Sequence, residues 1–161
     1  MNPKTTLAIV EDNSSYRKSL LDIIELSKNM TCLGSFQSAE PCLKALENGT
    51  MEKPGILLYH TPTNIQAHFS DRAGQQTGTY WRPDTRTTFA KSMGIDLQLS
   101  GHTHGGQFFP FTLITHLIYG GYDRGLHREE DFQIYITSGA GTWGPPMRVA
   151  CPPEIPVITL H

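Results

Sequence analysis

Residues 99–107 read LSGHTHGGQ, which sets His102 and His104 one residue apart among Gly101, Gly105 and Gly106. Imidazole is a good ligand for zinc, iron and manganese, and an x-separated pair on an extended turn can reach two adjacent ions. Glycines on either side let the backbone turn tightly and let a ligand approach it. A buried-strand pattern over Ile95–Leu99 leads into this pair, and a second, Ile56–Tyr59 in GILLYHTP, leads into His60. A third apolar run, TTLAIVED, ends in the adjacent carboxylates Glu11 and Asp12. In open α/β sheets ligands gather outside the carboxyl ends of strands, so each of these positions is a candidate metal ligand. Two plainer roles stay open. His60 alone also suits a hydrogen-bonded core residue, and Glu11 and Asp12 also suit the amino terminus of a helix, where the macrodipole favours acids.

The elements that must hold these residues are legible in the first third. After the TTLAIVED strand, NSSYRKSLLDIIELSKN places Tyr16, Leu20, Ile23, Ile24 and Leu26 near helical spacing, with Asn13 or Ser14 as cap. MTCLGSF reads as a strand, SAEPCLKALENG as a short helix stopped by glycine, and PGILLYH as a third strand. This β-α-β-α-β order predicts right-handed crossovers and a mostly parallel sheet with flanking helices. In a strand order with the first strand beside the third, Glu11 and Asp12 emerge next to His60. If Ile95–Leu99 pairs on the other side of the third strand, His102 and His104 reach the same rim. Two carboxylates and three imidazoles there would satisfy one ion with positions left for water.

The 161 residues suit one domain with a core of its own. A formal charge of −2 supplies no basic field for gathering phosphates, which argues against a nucleic-acid partner. No apolar run reaches the roughly 18–20 residues of a membrane span, and MNPKTTLAIVEDN is not a signal peptide. Cys32, Cys42 and Cys151 lack metal or redox spacing and read as free thiols of a reducing, cytoplasmic protein. Beyond Lys53 the chain turns rich in Gly, Pro, Thr, His and aromatics, as a loop-built site requires.

Residues 1–54 resemble the opening of a response-regulator receiver domain, through LAIVEDN, YRKSLLDIIE and GSFQSAEPCLKAL leading into KPGILLYHTP. That resemblance implies a flavodoxin-like start and magnesium at Glu11 and Asp12. It does not imply phosphotransfer: His60 stands where the phosphate-accepting aspartate would be, and although Ser100 falls near the later Thr/Ser position, the Lys-Pro that completes the receiver site is missing. From about Gly55 onward the chain resembles the carboxyl-terminal half of a calcineurin-like metallophosphoesterase, through ILLYHTP, LSGHTHGGQ and YITSGAGTWGPPMRVACPPEIPVITL. That resemblance implies two divalent ions, manganese, iron or zinc, and hydrolysis of phosphate mono- or diesters by a metal-held hydroxide. It makes His60 and His102 ligands of one ion and His104 a ligand of the other. The family's amino-terminal motifs, Asp-x-His, Gly-Asp and Gly-Asn-His, do not occur in this sequence. The chain therefore reads as a single hybrid α/β domain, 1–54 receiver-like and 55–161 phosphoesterase-like, with impaired hydrolysis expected. The alternatives are a receiver-derived signalling or binding module and a catalytically inactive chimera.

The rest of the chain yields softer expectations. TNIQAHFSDRAGQQTGTYW reads as a polar loop bordering substrate, with His68 and Arg72 within reach of an anion, and DTRTTFAKSMG as a short helix. Phe108, Phe109, Phe111, Leu113, Ile114, Leu117 and Ile118 suit either an apolar lip that touches a lipid headgroup or hydrophobic substrate, or core beneath a loop. His116 and His127 lack the glycine and strand context and read as bystanders. GTWGPPMR suggests a loop fixed to the core through Trp143, with Arg148 available to a phosphate. FQIYITSG and EIPVITL read as the closing strands of the sheet, antiparallel in an otherwise mostly parallel order.

Overall fold

The computed structural model describes residues 4–62, 67–70, 76–80, 90–91 and 93–160, with backbone alone for 67–70 and 76–80. The chain runs β1 (Thr5–Val10), α1 (Ser14–Glu25), β2 (Met30–Phe36), α2 (Ala39–Glu47) and β3 (Ile56–Tyr59). It continues through β4 (Ala67–Ser70), β5 (Gln76–Tyr80), β6 (Leu97–Ser100), α3 (Phe111–Ile118), β7 (Gly125–Glu129) and β8 (Phe132–Ile136). Six strands form one sheet in the order β2-β1-β3-β6-β8-β7, and β4 and β5 form a separate antiparallel pair.

The α/β architecture with a mostly parallel sheet is as expected. β1 pairs in parallel with both β2 and β3, β3 with β6, and β6 with β8; β7 alone is antiparallel, joined to β8 as a hairpin. The closing strands need correction. FQIYITSG supplies β8, which runs parallel to β6. EIPVITL forms no strand: residues 152–160 carry no regular structure, and Pro152, Pro153 and Pro156 lack the N–H donors a ladder needs. Ile155 and Val157 there are 82 % and 92 % exposed.

Side chains alternate across the sheet, as strand geometry requires. On one face Ala8, Val10, Leu57, Phe132, Ile134 and Ile136 pack with Cys42 of α2 and with Ala90 and Ile95. On the other, Leu7, Ile9 and Ile56 pack with Ile24 of α1, with Leu20, Leu21, Leu97 and Leu99 around them. Asn13 caps α1, its Oδ1 accepting from the N–H groups of Ser15 and Tyr16 at 3.0 and 3.2 Å. Tyr16, Ile23 and Leu26 point away from the sheet, so α1 contributes a narrower apolar stripe than its spacing suggests. Cys42 and Cys151 are buried, and Cys32 is partly so; all three are free thiols.

The polar connection after β3 contains the β4–β5 pair, with Ala67 opposite Tyr80, where the sequence suggests a loop. Arg72 and most of the expected helix over 84–94 lie outside the described residues, and so does the side chain of His68, whose backbone is in β4. Among the described residues no helix is long and apolar enough to cross a membrane.

Candidate metal centre

The register of β1 and β3 sets Val10 opposite Tyr59, so the next residues, Glu11 and His60, leave the sheet side by side. β6 lies on the other flank of β3, with Leu58 opposite Leu99, and its loop carries His102 and His104 to the same edge. The chain after β3 is tied to β6 by buried Gln98, whose Nε2 donates to the Pro62 carbonyl at 3.2 Å. The Gly101 N–H donates to the His60 carbonyl at 3.0 Å, which fixes the start of the histidine loop against the end of β3.

At this edge His60 Nε2 and His102 Nδ1 are 3.0 Å apart, although 42 residues separate them in the chain. On its other side His60 Nδ1 faces Glu11 Oε2 at 3.2 Å. A carboxylate only accepts, so His60 Nδ1–H donates to Glu11, which leaves His60 Nε2 to accept from His102 Nδ1–H. Glu11 Oε1 accepts from the Asn13 N–H at 2.9 Å, so both oxygens of this buried carboxylate are engaged. Asp12 is exposed beside Glu11 and His60, and its carboxyl is held below the usual range.

His104 reaches the edge but turns elsewhere. Its Nδ1 lies 3.3 Å from Arg148 Nη2. Burial, then the Arg148 charge, lowers its pKa, while burial and the two neighbouring imidazoles lower that of His102. Both therefore favour the neutral, ligand-competent form. Arg148 itself clasps the closing loop, donating through Nη2 to the Ser138 carbonyl at 2.7 Å, through Nε to that of Gly141 at 3.0 Å and through Nη1 to that of Cys151 at 3.3 Å.

The loop's backbone is unusual. His102, His104 and Gln107 all lie at positive φ, +69°, +50° and +55°, as do Gly105 and Gly106. Non-glycine residues persist there only where surroundings over-determine them. Here the restraint is visible: buried Thr103 donates Oγ1 to the Asp123 carbonyl at 2.5 Å, and Cys151 Sγ donates to the His104 carbonyl at 3.2 Å. A Cβ on Gly106 would lie 2.5 Å from Thr112 Cα, so its glycine lets the start of α3 press on the loop. Buried Gln107, whose role the sequence does not reveal, donates Nε2 to the Trp143 and Pro145 carbonyls at 2.8 and 3.0 Å and accepts from the Trp143 N–H. Trp143 is thus held by its backbone; its ring, 71 % exposed, is not the core plug expected.

His116 and His127 stay apart from this edge. His116 Nδ1 pairs with buried Asp123 at 2.9 Å, and His127 stacks on Tyr122 with ring centroids 4.4 Å apart.

Two nitrogens bound to one tetrahedral ion at about 2.0–2.1 Å are about 3.3 Å apart, close to the His60–His102 separation. The remaining donors do not join them. Among the described residues no group of three or more His, Cys, Asp and Glu side chains is placed to hold an ion. The geometry fits half of a metal centre and not a whole one. Beside the imidazoles opens a cavity of about 450 Å³, lined among others by His60, His102, Phe111 and Trp143.

Comparison with known proteins finds homologues named metallophosphoesterase over 73 % of this chain. An uncharacterized metallophosphoesterase of Helicobacter pylori strain J99 is 39 % identical over 118 residues, which are 73 % of this chain and 26 % of that protein. A zebrafish (Danio rerio) transmembrane protein with metallophosphoesterase domain is 42 % identical over 118 residues, 73 % of this chain and 22 % of that protein. An uncharacterized metallophosphoesterase of Campylobacter jejuni is 49 % identical over 70 residues, 41 % of this chain and 18 % of that protein. The chain spans about a quarter of the length of the curated relatives it matches. No family model matches it, and no solved structure does.

Proposed function

We propose that this chain is a metallophosphoesterase-like module whose His60–His102 pair binds a divalent ion, manganese, iron or zinc. The 3.0 Å approach of two imidazole nitrogens from neighbouring parallel strands carries the reading. The Glu11 contact supports it, because an outer carboxylate on the far nitrogen is how proteins orient ligand histidines. The homologues named metallophosphoesterase over 73 % of the chain support phosphoester hydrolysis, and we take the substrates to be phosphate mono- or diesters. Turnover in this chain is weak, on our reading, because the bridging and amino-terminal ligand motifs do not occur in the sequence and no third donor joins the pair among the described residues.

We further infer a hybrid origin, a receiver-like βαβα segment over 1–54 completing a phosphoesterase-like segment over 55–161. The sheet order beginning β2-β1-β3 is the order a flavodoxin-like start has.

The deciding experiment titrates chelator-stripped protein with Mn²⁺ and Zn²⁺ and assays bis(4-nitrophenyl) phosphate alongside. Binding that falls in both His60→Ala and His102→Ala, with at most slow hydrolysis that disappears in His104→Ala, is the expected result. Unchanged affinity in both ligand variants overturns the reading.

A further inference from the structure

The cavity beside the imidazoles is lined by two unlike kinds of ring. One kind is imidazole, from His60, His102 and His104; the other is aromatic, from Phe108, Phe111, Tyr119 and Trp143. No lysine, arginine or carboxylate lines it among the described residues. The imidazoles are therefore the lining groups able to carry positive charge toward an anionic group, and the aromatic rings supply most of the apolar surface for what it carries.

Part of this aromatic lining is held by contacts within the protein. Phe108 and Phe111 pack edge to face with centroids 5.0 Å apart. α3, which carries Phe111 and Thr115, is pressed on the histidine loop at Gly106, where a side chain has no room. The Trp143 backbone is tethered to that loop by two hydrogen bonds with the Gln107 side chain, which also donates to the Pro145 carbonyl. Tyr119 closes α3 and is buried. Such a set of ring faces and edges favours a flat aromatic guest over a flexible alkyl chain, which would gain similar burial but no stacking and would lose rotamer freedom. At about 450 Å³ the space is at the lower end of small-molecule pockets, enough for one ring system with its ester group.

We propose that the cavity lined by the His60–His102 pair and by Phe108, Phe111, Tyr119 and Trp143 receives the planar aromatic group of a phosphate ester. The phosphate end of this statement rests on the function proposed above; the aromatic end rests on the cavity alone.

The test compares 1-naphthyl phosphate, n-butyl phosphate and inorganic phosphate by calorimetry, with 1-naphthol as a probe that has no phosphate. A stacked pair is worth a preference of roughly 2- to 12-fold, so 1-naphthyl phosphate is expected to bind about ten-fold more tightly than butyl phosphate. That preference should vanish in Thr115→Trp, which fills the cavity, and shrink in Phe111→Ala, which opens its wall. Equal binding of the naphthyl and butyl esters, or a preference that survives both variants, overturns the proposal. Naphthol binding that is lost in Thr115→Trp while metal affinity ignores His60→Ala and His102→Ala would retain the aromatic site and remove the phosphoesterase reading instead.

Discussion

Glu11 Oε2 lies 3.2 Å from His60 Nδ1, so the carboxylate that ends β1 orients the imidazole that follows β3. Glu11→Gln keeps the shape but offers an amide in place of the charged acceptor. Removing such an outer partner typically costs 10- to 100-fold in metal affinity. We expect about ten-fold weaker Mn²⁺ or Zn²⁺ binding in Glu11→Gln, measured by competition with a chromogenic chelator, and a larger loss in His60→Ala. Equal affinities of wild type and Glu11→Gln would show that Glu11 plays no part.

Stability of the metal-free protein should fall as solution is acidified below neutrality. The pKa values of His102 and His104 are lowered from 6.5 by burial and nearby positive charge. The unfolded chain therefore takes up protons at these sites before the folded one does. Stability present above about pH 6.5 is then lost as pH falls through the lowered folded values. Asp12, also lowered, adds its own loss only further down, below its ordinary 3.8. Melting temperatures in chelator at pH 7.5, 6.5 and 5.5 should decrease in order, and the slope should flatten in His102→Asn/His104→Asn. A slope unchanged in that double variant would contradict the assignment.

Gly106 should tolerate no side chain. At φ +74° an added Cβ would sit 2.5 Å from Thr112 Cα and 2.6 Å from the Phe111 carbonyl oxygen, both backbone atoms that cannot swing aside. Gly106→Ala is expected to destabilise by more than about 2 kcal/mol in urea unfolding. Gly141→Ala, with open space around the new methyl, should stay within about 0.5 kcal/mol of wild type.

Arg148→Lys should loosen the closing loop while keeping the charge. The guanidinium reaches the carbonyls of Ser138, Gly141 and Cys151 together, a fork that an ammonium cannot match. A loss of about 1–2 kcal/mol is expected from hydrogen bonds to a charged donor, with faster hydrogen exchange over 138–151. Wild-type exchange in the variant would argue against the clasp.

The strands that deliver the imidazoles were legible because buried parallel strands are continuous apolar runs bounded by turns, and ILLY and IDLQL have that form. Their adjacency rested on a strand order with the first strand beside the third and Ile95–Leu99 on its other flank, and the sheet has that order, which puts His60 between Glu11 and His102. What escaped was written in other terms. FTLITHLI of α3 is short and rich in β-branched residues, which weakens its helical signal; Pro110 ahead of it was the usable one. Its Leu113, Ile114 and Leu117 are exposed, not core beneath a loop. EIPVITL has strand-forming side chains, but Pro156 within it and Pro152 and Pro153 ahead of it lack the donors a ladder needs. The anchoring by Gln107 and the turn of His104 toward Arg148 depend on contacts 36 and 44 residues apart, which no local pattern encodes.

The ladder between β1 and β3 makes this edge a matter of parity. Side chains along a strand switch sides at every residue, so one residue inserted within Ile56–Tyr59 would send His60 to the opposite side of the sheet while leaving composition and length almost untouched. A two-residue insertion would restore its side but lift it about one strand repeat beyond Glu11. Sequences of similar composition can thus fold alike and still lack the imidazole pair, and the spacing from the third strand to its histidine is the quantity to compare among them.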